Sequence, residues 1–121
     1  LLYFLTMNIE ELRDYCLSKK GVTECFPFDE VTLVFKVGGK IFALTNLDRE
    51  PSVNLKCDPE RAIDLREKYS SIIPGYHMNK THWNTIYMNN SIPDKLMKEM
   101  IDLSYLLIVQ SLSKSKRKDL L

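Results

Sequence analysis

The pattern that most constrains the fold runs from Val31 to Thr45 and is interrupted by Gly38-Gly39. Before the glycines, one alternating set is wholly apolar, namely Val31, Leu33, Phe35 and Val37. Two adjacent glycines readily adopt the positive φ angles of a two-residue hairpin turn. The segment therefore predicts a β-hairpin, and with it an antiparallel sheet.

Capping signals predict the helices around this hairpin. Asn8, with an acidic residue three positions later, begins a helix over 9–19 that Gly21 closes. Asp58-Pro59 begins a middle helix and Pro93-Asp94 begins the last one. Further strands are predicted over 52–57 and 83–88, and the basic tail over 113–118 is expected to fray.

This order of elements predicts the α+β class: an antiparallel β-sheet with N-terminal, middle and C-terminal helices packed mainly on one face. The other face is then open to solvent or to a ligand. If Val53 and Leu55 point inward, that face carries Thr32, Val34, Lys36, Asn54 and Lys56. Residues 7–121 are expected to form a single domain, with 1–6 an upstream or expression-derived remnant before an initiating Met7.

Charge and cysteine usage narrow the functional classes. The net charge is +1, from 17 basic and 16 acidic residues, so any nucleic-acid binding must come from a local patch. The three cysteines form no C-x-x-C pair, which favours a reducing cytoplasm over a disulfide framework. The apolar run from Tyr105 to Val109 is far shorter than the roughly 20 residues that a membrane helix needs, so no membrane association is expected.

The segment Pro74–Thr85 contains both histidines and the only tryptophan. In a nucleic-acid site, Lys80 would meet a phosphate and Tyr76 or Trp83 would stack on a base. The neighbouring hydrogen-bonding groups are His77, Asn79, Thr81, His82 and Asn84, and a positive strip would be extended by Lys36, Lys40 and Lys56. Alternatively, the aromatic residues pack inside the protein and the polar ones satisfy backbone groups.

The spacing of the candidate ligands and nucleophiles argues against a metal or catalytic site. His77 and His82 are five residues apart, which suits neither a helical pair nor a strand pair of ligands. Acidic residues on the first helix are explained by the helix N-terminus. Cys57 lies on the apolar side of its strand, and no nucleophile elbow or phosphate loop is present. We therefore expect no cofactor, no metal and no enzymatic activity.

Several segments, in order along the chain, resemble the MmcQ/YjbR family of small bacterial proteins. They are Phe26–Phe28, Val34–Lys40, Phe42–Leu44, Val53–Glu60, Pro74–Thr85 and Ser104-Tyr105. The resemblance implies a fold similar to the CyaY/frataxin-like or secretion-chaperone-like sheets. It also implies DNA binding through a double-wing motif. We therefore expect weak DNA binding through the hairpin wings and the segment Tyr76–Asn84, with a protein-interaction or chaperone-like module that uses the exposed sheet face as the alternative.

Overall fold

The computed structural model describes residues 7–75 and 78–120, so the predicted remnant over 1–6 lies outside the described residues. These residues form a six-stranded antiparallel sheet in the order β1-β2-β3-β4-β6-β5, together with helices. The elements are α1 (Ile9–Leu17), β1 (Val22–Cys25), β2 (Thr32–Val37), β3 (Lys40–Asn46), β4 (Ser52–Lys56), α2 (Pro59–Lys68), β5 (Ile72–Pro74), β6 (Trp83–Tyr87), α3 (Asp94–Ser111) and α4 (Lys114–Lys118). The predicted α+β class is confirmed.

The predicted caps and the predicted glycine turn are present in the structure. Asn8 and Glu11 form a reciprocal capping box at α1, and the Asp58 side chain accepts a hydrogen bond from Arg61 N at the start of α2. Gly38 and Gly39 both have positive φ, at 59° and 81°. The sequence missed β1 and β5, the two edge strands, which are short; β5 ends in Pro74.

The core lies between one face of the sheet and the helices. Leu33, Phe35 and Val37 of β2 are buried there, as are Val53 and Leu55 of β4. Helix α3 packs across β2, β3 and β4, while α1 contacts β1 and α2 contacts β5. Among residues 7–75 and 78–120, the helices therefore lie on one side of the sheet and its opposite face has no covering helix, as the sequence predicts.

A β-bulge in β3 is tied to α3 by a buried hydroxyl. Ala43 pairs with Phe35 and Ile41 pairs with Lys36, so Phe42 is an extra residue between them. Ser104 Oγ donates to Phe42 O at 2.5 Å and accepts from Lys56 N at 2.9 Å. This hydroxyl therefore connects β3 and β4 just beyond their last paired residues.

The C-terminal segment differs from the sequence prediction, which was wrong to expect a frayed tail. Ser113 caps the short helix α4 by accepting from Lys116 N, and Lys116 Nζ donates to Gly38 O at 3.1 Å. Leu112 is buried, and a Cβ on Gly38 would lie 2.6 Å from Leu112 Cδ1. The tip of the β2–β3 hairpin is thus packed against the end of the chain.

Replacing Ser104 by alanine should destabilise the protein by about 1–3 kcal/mol, because two buried backbone groups lose their partner. The helix itself should gain slightly, since alanine is the better helix former. Chemical denaturation would measure the loss. The control is Ser111→Ala near the end of the same helix, where the residue is exposed and a smaller effect is expected. Equal stabilities of the Ser104→Ala and wild-type proteins would contradict the role of this hydroxyl.

Gly38→Ala should be more destabilising than Gly39→Ala by about 1–3 kcal/mol. Both substitutions place a side chain at positive φ, but only Gly38 faces Leu112; the nearest atom to a Cβ on Gly39 is Lys116 Nζ at 3.8 Å. Thermal unfolding of both variants tests the difference. In a Leu112→Ala background the two glycine substitutions should become similar, and a persisting difference would exclude this contact as the cause.

Candidate functional site

The uncovered side of the sheet, which we call the open face, carries the alternate residues of each strand. The central row consists of neighbours in register across the strands: Val34, Leu44, Asn54, Thr85 and Ile73. Lys36 and Lys56 lie on the same face toward the β2–β3 turn. The predicted face assignment is confirmed, although Val34 is fully buried and offers no contact surface.

Lys56 and Trp83 are adjacent residues at one end of the open face. Lys56 pairs directly with Trp83 across β4 and β6, and both are partly exposed. Cβ atoms of directly paired residues lie about 4.5–5.5 Å apart, so the two side chains leave the sheet next to each other. Lys36 on β2 adds a second cation. Trp83 is thus a residue of the open face and lies outside the buried core cluster.

Two of the predicted nucleic-acid-binding residues lie elsewhere. Asn84 is 1% exposed because it follows Trp83 in β6 and therefore points to the core, where its Nδ2 donates to Ala62 O at 3.3 Å. The prediction that Asn84 contacts nucleic acid is corrected by this burial. Lys40 pairs with Val37 at the hairpin turn, and its Nζ donates to Ser111 O and Oγ, each at 3.3 Å. It is therefore separated from Lys36 and Lys56.

The connection before β6 holds the remaining predicted residues. Asn79 Oδ1 accepts from Thr81 N and His82 N, so its carbonyl stabilises the turn. Lys80 and His82 are exposed, and Lys80 Nζ is 3.3 Å from Gly75 O, to which it donates. Tyr76 and His77 lie outside the described residues. This connection places a cation beside the strand that carries Trp83.

A groove with a volume of ≈ 820 Å³ occupies the end of the open face near the β3–β4 turn. Its floor includes Leu44, Asn54 and Thr85, and Thr85 Oγ1 donates to Asn54 Oδ1 at 2.5 Å. Its walls include Phe28, Asn46, Ser52, Met78 and Tyr87. Sequence analysis did not single out Asn46, Ser52, Thr85 or Tyr87; continuing the strand alternation into β3 and β6 would have found them.

Titratable groups near the core are held in neutral form. Burial raises the pKa of the Cys57 thiol, and burial likewise raises the pKa of Cys16 to about 12. Within residues 7–75 and 78–120, no three histidine, cysteine or acidic side chains group as metal ligands would. Over the same residues, no helix combines the length and apolar character needed to cross a bilayer.

Comparison with known proteins identifies the family. The family model described as YjbR matches residues 17–107. Among relatives, the uncharacterised protein YjbR of Escherichia coli K12 is 37% identical over 113 residues, covering 93% of this chain and 96% of its own length. The uncharacterised protein YbdF of Escherichia coli O157:H7 is 43% identical over 110 residues, covering 90% of each.

Solved structures agree with this result. Protein DR2400 of Deinococcus radiodurans, described as a DUF419 domain, superimposes with a TM-score of 0.88 at 39% identity, covering 99% of this chain and 91% of that one. A Pseudomonas syringae protein superimposes with a TM-score of 0.73 at 30% identity, covering 84% of this chain and 98% of that one. The chain belongs to the YjbR family.

Proposed function

We propose that this protein is a non-catalytic binding protein that contacts DNA weakly through the open face. The observation that carries the proposal is the direct pairing of Lys56 with Trp83, with Lys36 on the same face. An ammonium can meet a phosphate while an indole stacks on the adjacent base. Lys80, exposed in the connection that leads into β6, supplies a further cation nearby.

Single-stranded DNA suits this surface better than a duplex. An indole on a sheet can stack only on a base whose own face is free, which an unpaired strand provides. The tip of the β2–β3 hairpin, which the double-wing prediction takes as a wing for DNA contact, is packed against Leu112 and bonded by Lys116. This packing favours a stacking surface on the sheet over contact through the hairpin tip.

Charge limits the strength of the interaction. With a net charge of +1, the molecule exerts little long-range attraction on a polyanion. If Lys36, Lys56 and Lys80 each neutralise one phosphate, the logarithm of affinity should fall with the logarithm of salt at a slope of about −2. We therefore expect dissociation constants within the usual non-specific range.

A binding role is also supported by the state of the thiols. Cys57 is buried, and burial raises its thiol pKa, which disfavours the reactive thiolate. Cys16, Cys25 and Cys57 are all free, which fits the reducing cytoplasm that we include in the proposal.

Protein interaction is the second candidate, favoured by apolar side chains at the opposite end of the face. Phe26 and Phe28, in the β1–β2 loop, are 47% and 66% exposed, and Leu47 beyond β3 is 47% exposed. Large apolar side chains that are exposed close together are a feature of protein contact sites. Such contacts should vary little with salt, whereas DNA binding should weaken steeply.

Fluorescence anisotropy of labelled single-stranded and duplex DNA tests the proposal. Single-stranded DNA should bind more tightly, and Lys56→Gln should reduce the salt slope by about 0.7. The matched control is Lys95→Gln on α3, an exposed lysine on the helical side of the sheet. Its affinity should equal that of the wild-type protein.

Trp83→Leu should weaken single-strand binding by about 1–3 kcal/mol, the range for one base stacked on an aromatic ring. Circular dichroism would verify that the variant is folded. Absence of saturable binding below about 100 μM at low salt, weaker than ordinary non-specific affinity, would refute the DNA proposal. Equal losses in the Lys56→Gln and Lys95→Gln proteins would show that the open face is not the site.

A further inference from the structure

The groove near the β3–β4 turn differs chemically from the lysine and tryptophan end of the same face. Its volume of ≈ 820 Å³ falls within the roughly 300–1,000 Å³ of sites that bind small organic ligands. Leu44 and Met78 supply apolar contact, and Tyr87 and Phe28 supply aromatic walls. Polar and charged side chains outnumber these four in the lining, so a ligand here must be held by hydrogen bonds as well as by apolar contact.

The polar groups of the groove are oriented by the bonds that they already make. Asn54 Oδ1 accepts from Thr85 Oγ1, and Asn46 Oδ1 accepts from Asp48 N at 2.8 Å. In both side chains the carbonyl is therefore engaged, and the Nδ2 group has no hydrogen-bond partner among the described residues. The two amides thus offer N–H donors to a ligand.

Charged groups are confined to the rim. Asp29 is exposed, and its carboxylate already accepts from Val31 N, Thr32 N and Thr32 Oγ1. These hydrogen bonds lower the pKa of Asp29, and the bond from Thr32 N contributes most, so the carboxylate stays ionised. Glu50 is also exposed at the rim, together with Arg49. An uncharged, acceptor-rich ligand therefore fits the interior better than an ionic one, because no unpaired charge lines the floor.

We infer that this groove binds an uncharged planar ring compound bearing ring carbonyl groups, which accept hydrogen bonds from Asn54 Nδ2 and Asn46 Nδ2. The ring lies against Leu44 and Met78, and Tyr87 contributes aromatic contact at the wall. The volume suits fused rings better than a single ring. This site is independent of DNA binding, because it uses neutral donors in place of lysine side chains.

Riboflavin is a suitable probe, since it is uncharged, fluorescent and carries two carbonyls on a fused ring system. Its anisotropy should rise saturably on titration with the protein, with a dissociation constant of about 1–100 μM for a ligand of this size. Unlike DNA binding, this constant should stay unchanged as salt is raised. Proflavine, a planar cation without carbonyls, should not bind.

The matched substitution is Asn54→Asp, which keeps the acceptor for the Thr85 hydroxyl but replaces the N–H donor by a carboxylate oxygen. It should weaken riboflavin binding by about tenfold or more. Asn46→Asp should also weaken riboflavin binding, because it keeps the bond from Asp48 N but removes the N–H donor. It provides a second test should Asn54→Asp misfold. The control is Asn8→Asp at the α1 N-cap, where aspartate caps as well as asparagine and binding should be unchanged.

Competition by thymidine distinguishes two sources of the same chemistry. Displacement of riboflavin by thymidine at similar concentration would assign the groove to single-ring bases, whereas weaker displacement would assign it to fused-ring compounds. Three results would overturn the inference: no saturable signal with riboflavin or thymidine up to about 1 mM, the level of negligible affinity; equal affinity of the Asn54→Asp, Asn46→Asp and wild-type proteins; or proflavine binding as tight as that of riboflavin. Loss of DNA binding alone would leave it standing.

Discussion

The buried hydroxyl of Ser104 is the contact on which the arrangement of the sheet depends. The bulge at Phe42 places two consecutive residues, Phe42 and Ala43, in the core, and interrupts the pairing of β3 with its neighbours. A bulge leaves backbone groups outside the regular ladder, and buried groups without partners are costly. Ser104 Oγ donates to the Phe42 carbonyl on β3 and accepts from the N–H of Lys56 on β4, so one side chain of α3 fixes both strands beneath the open face.

The two ends of the open face are stabilised differently, which explains why they offer different chemistry. At the β2–β3 end, Gly38 contacts Leu112 and accepts a hydrogen bond from Lys116, so the hairpin tip is held by the chain terminus. At the β3–β4 end, none of the described helices packs on the open face and the exposed turn leaves a groove between loops. The first end presents lysines beside an indole on a braced strand, and the second presents amides at the floor of a concave site.

Much of the fold was predictable because its local signals are strong. The Gly38-Gly39 hairpin, the Asn8 capping box and the Asp58-Pro59 helix start all appear in the structure. The edge strands β1 and β5 were not predictable, since four and three residues give too little alternation to detect. The capped α4 was missed because its basic composition resembles a solvated tail, while its contact with Gly38 is long-range. For the site, the open-face position of Lys36 and Lys56 was predictable, but a concave groove depends on loop placement.

Asn84 shows how an incorrectly assigned residue can still support the candidate site. Successive residues of a strand point to opposite faces, so Trp83 and Asn84 cannot both lie on the open face. A one-residue slip of β6 would exchange them, removing the indole from Lys56 and Thr85 from Asn54. The bond from Asn84 Nδ2 to Ala62 O opposes that slip, because the displaced amide and the carbonyl on α2 would lose each other. Asn84 therefore acts from the core, by holding the strand register that sets both the stacking surface and the groove.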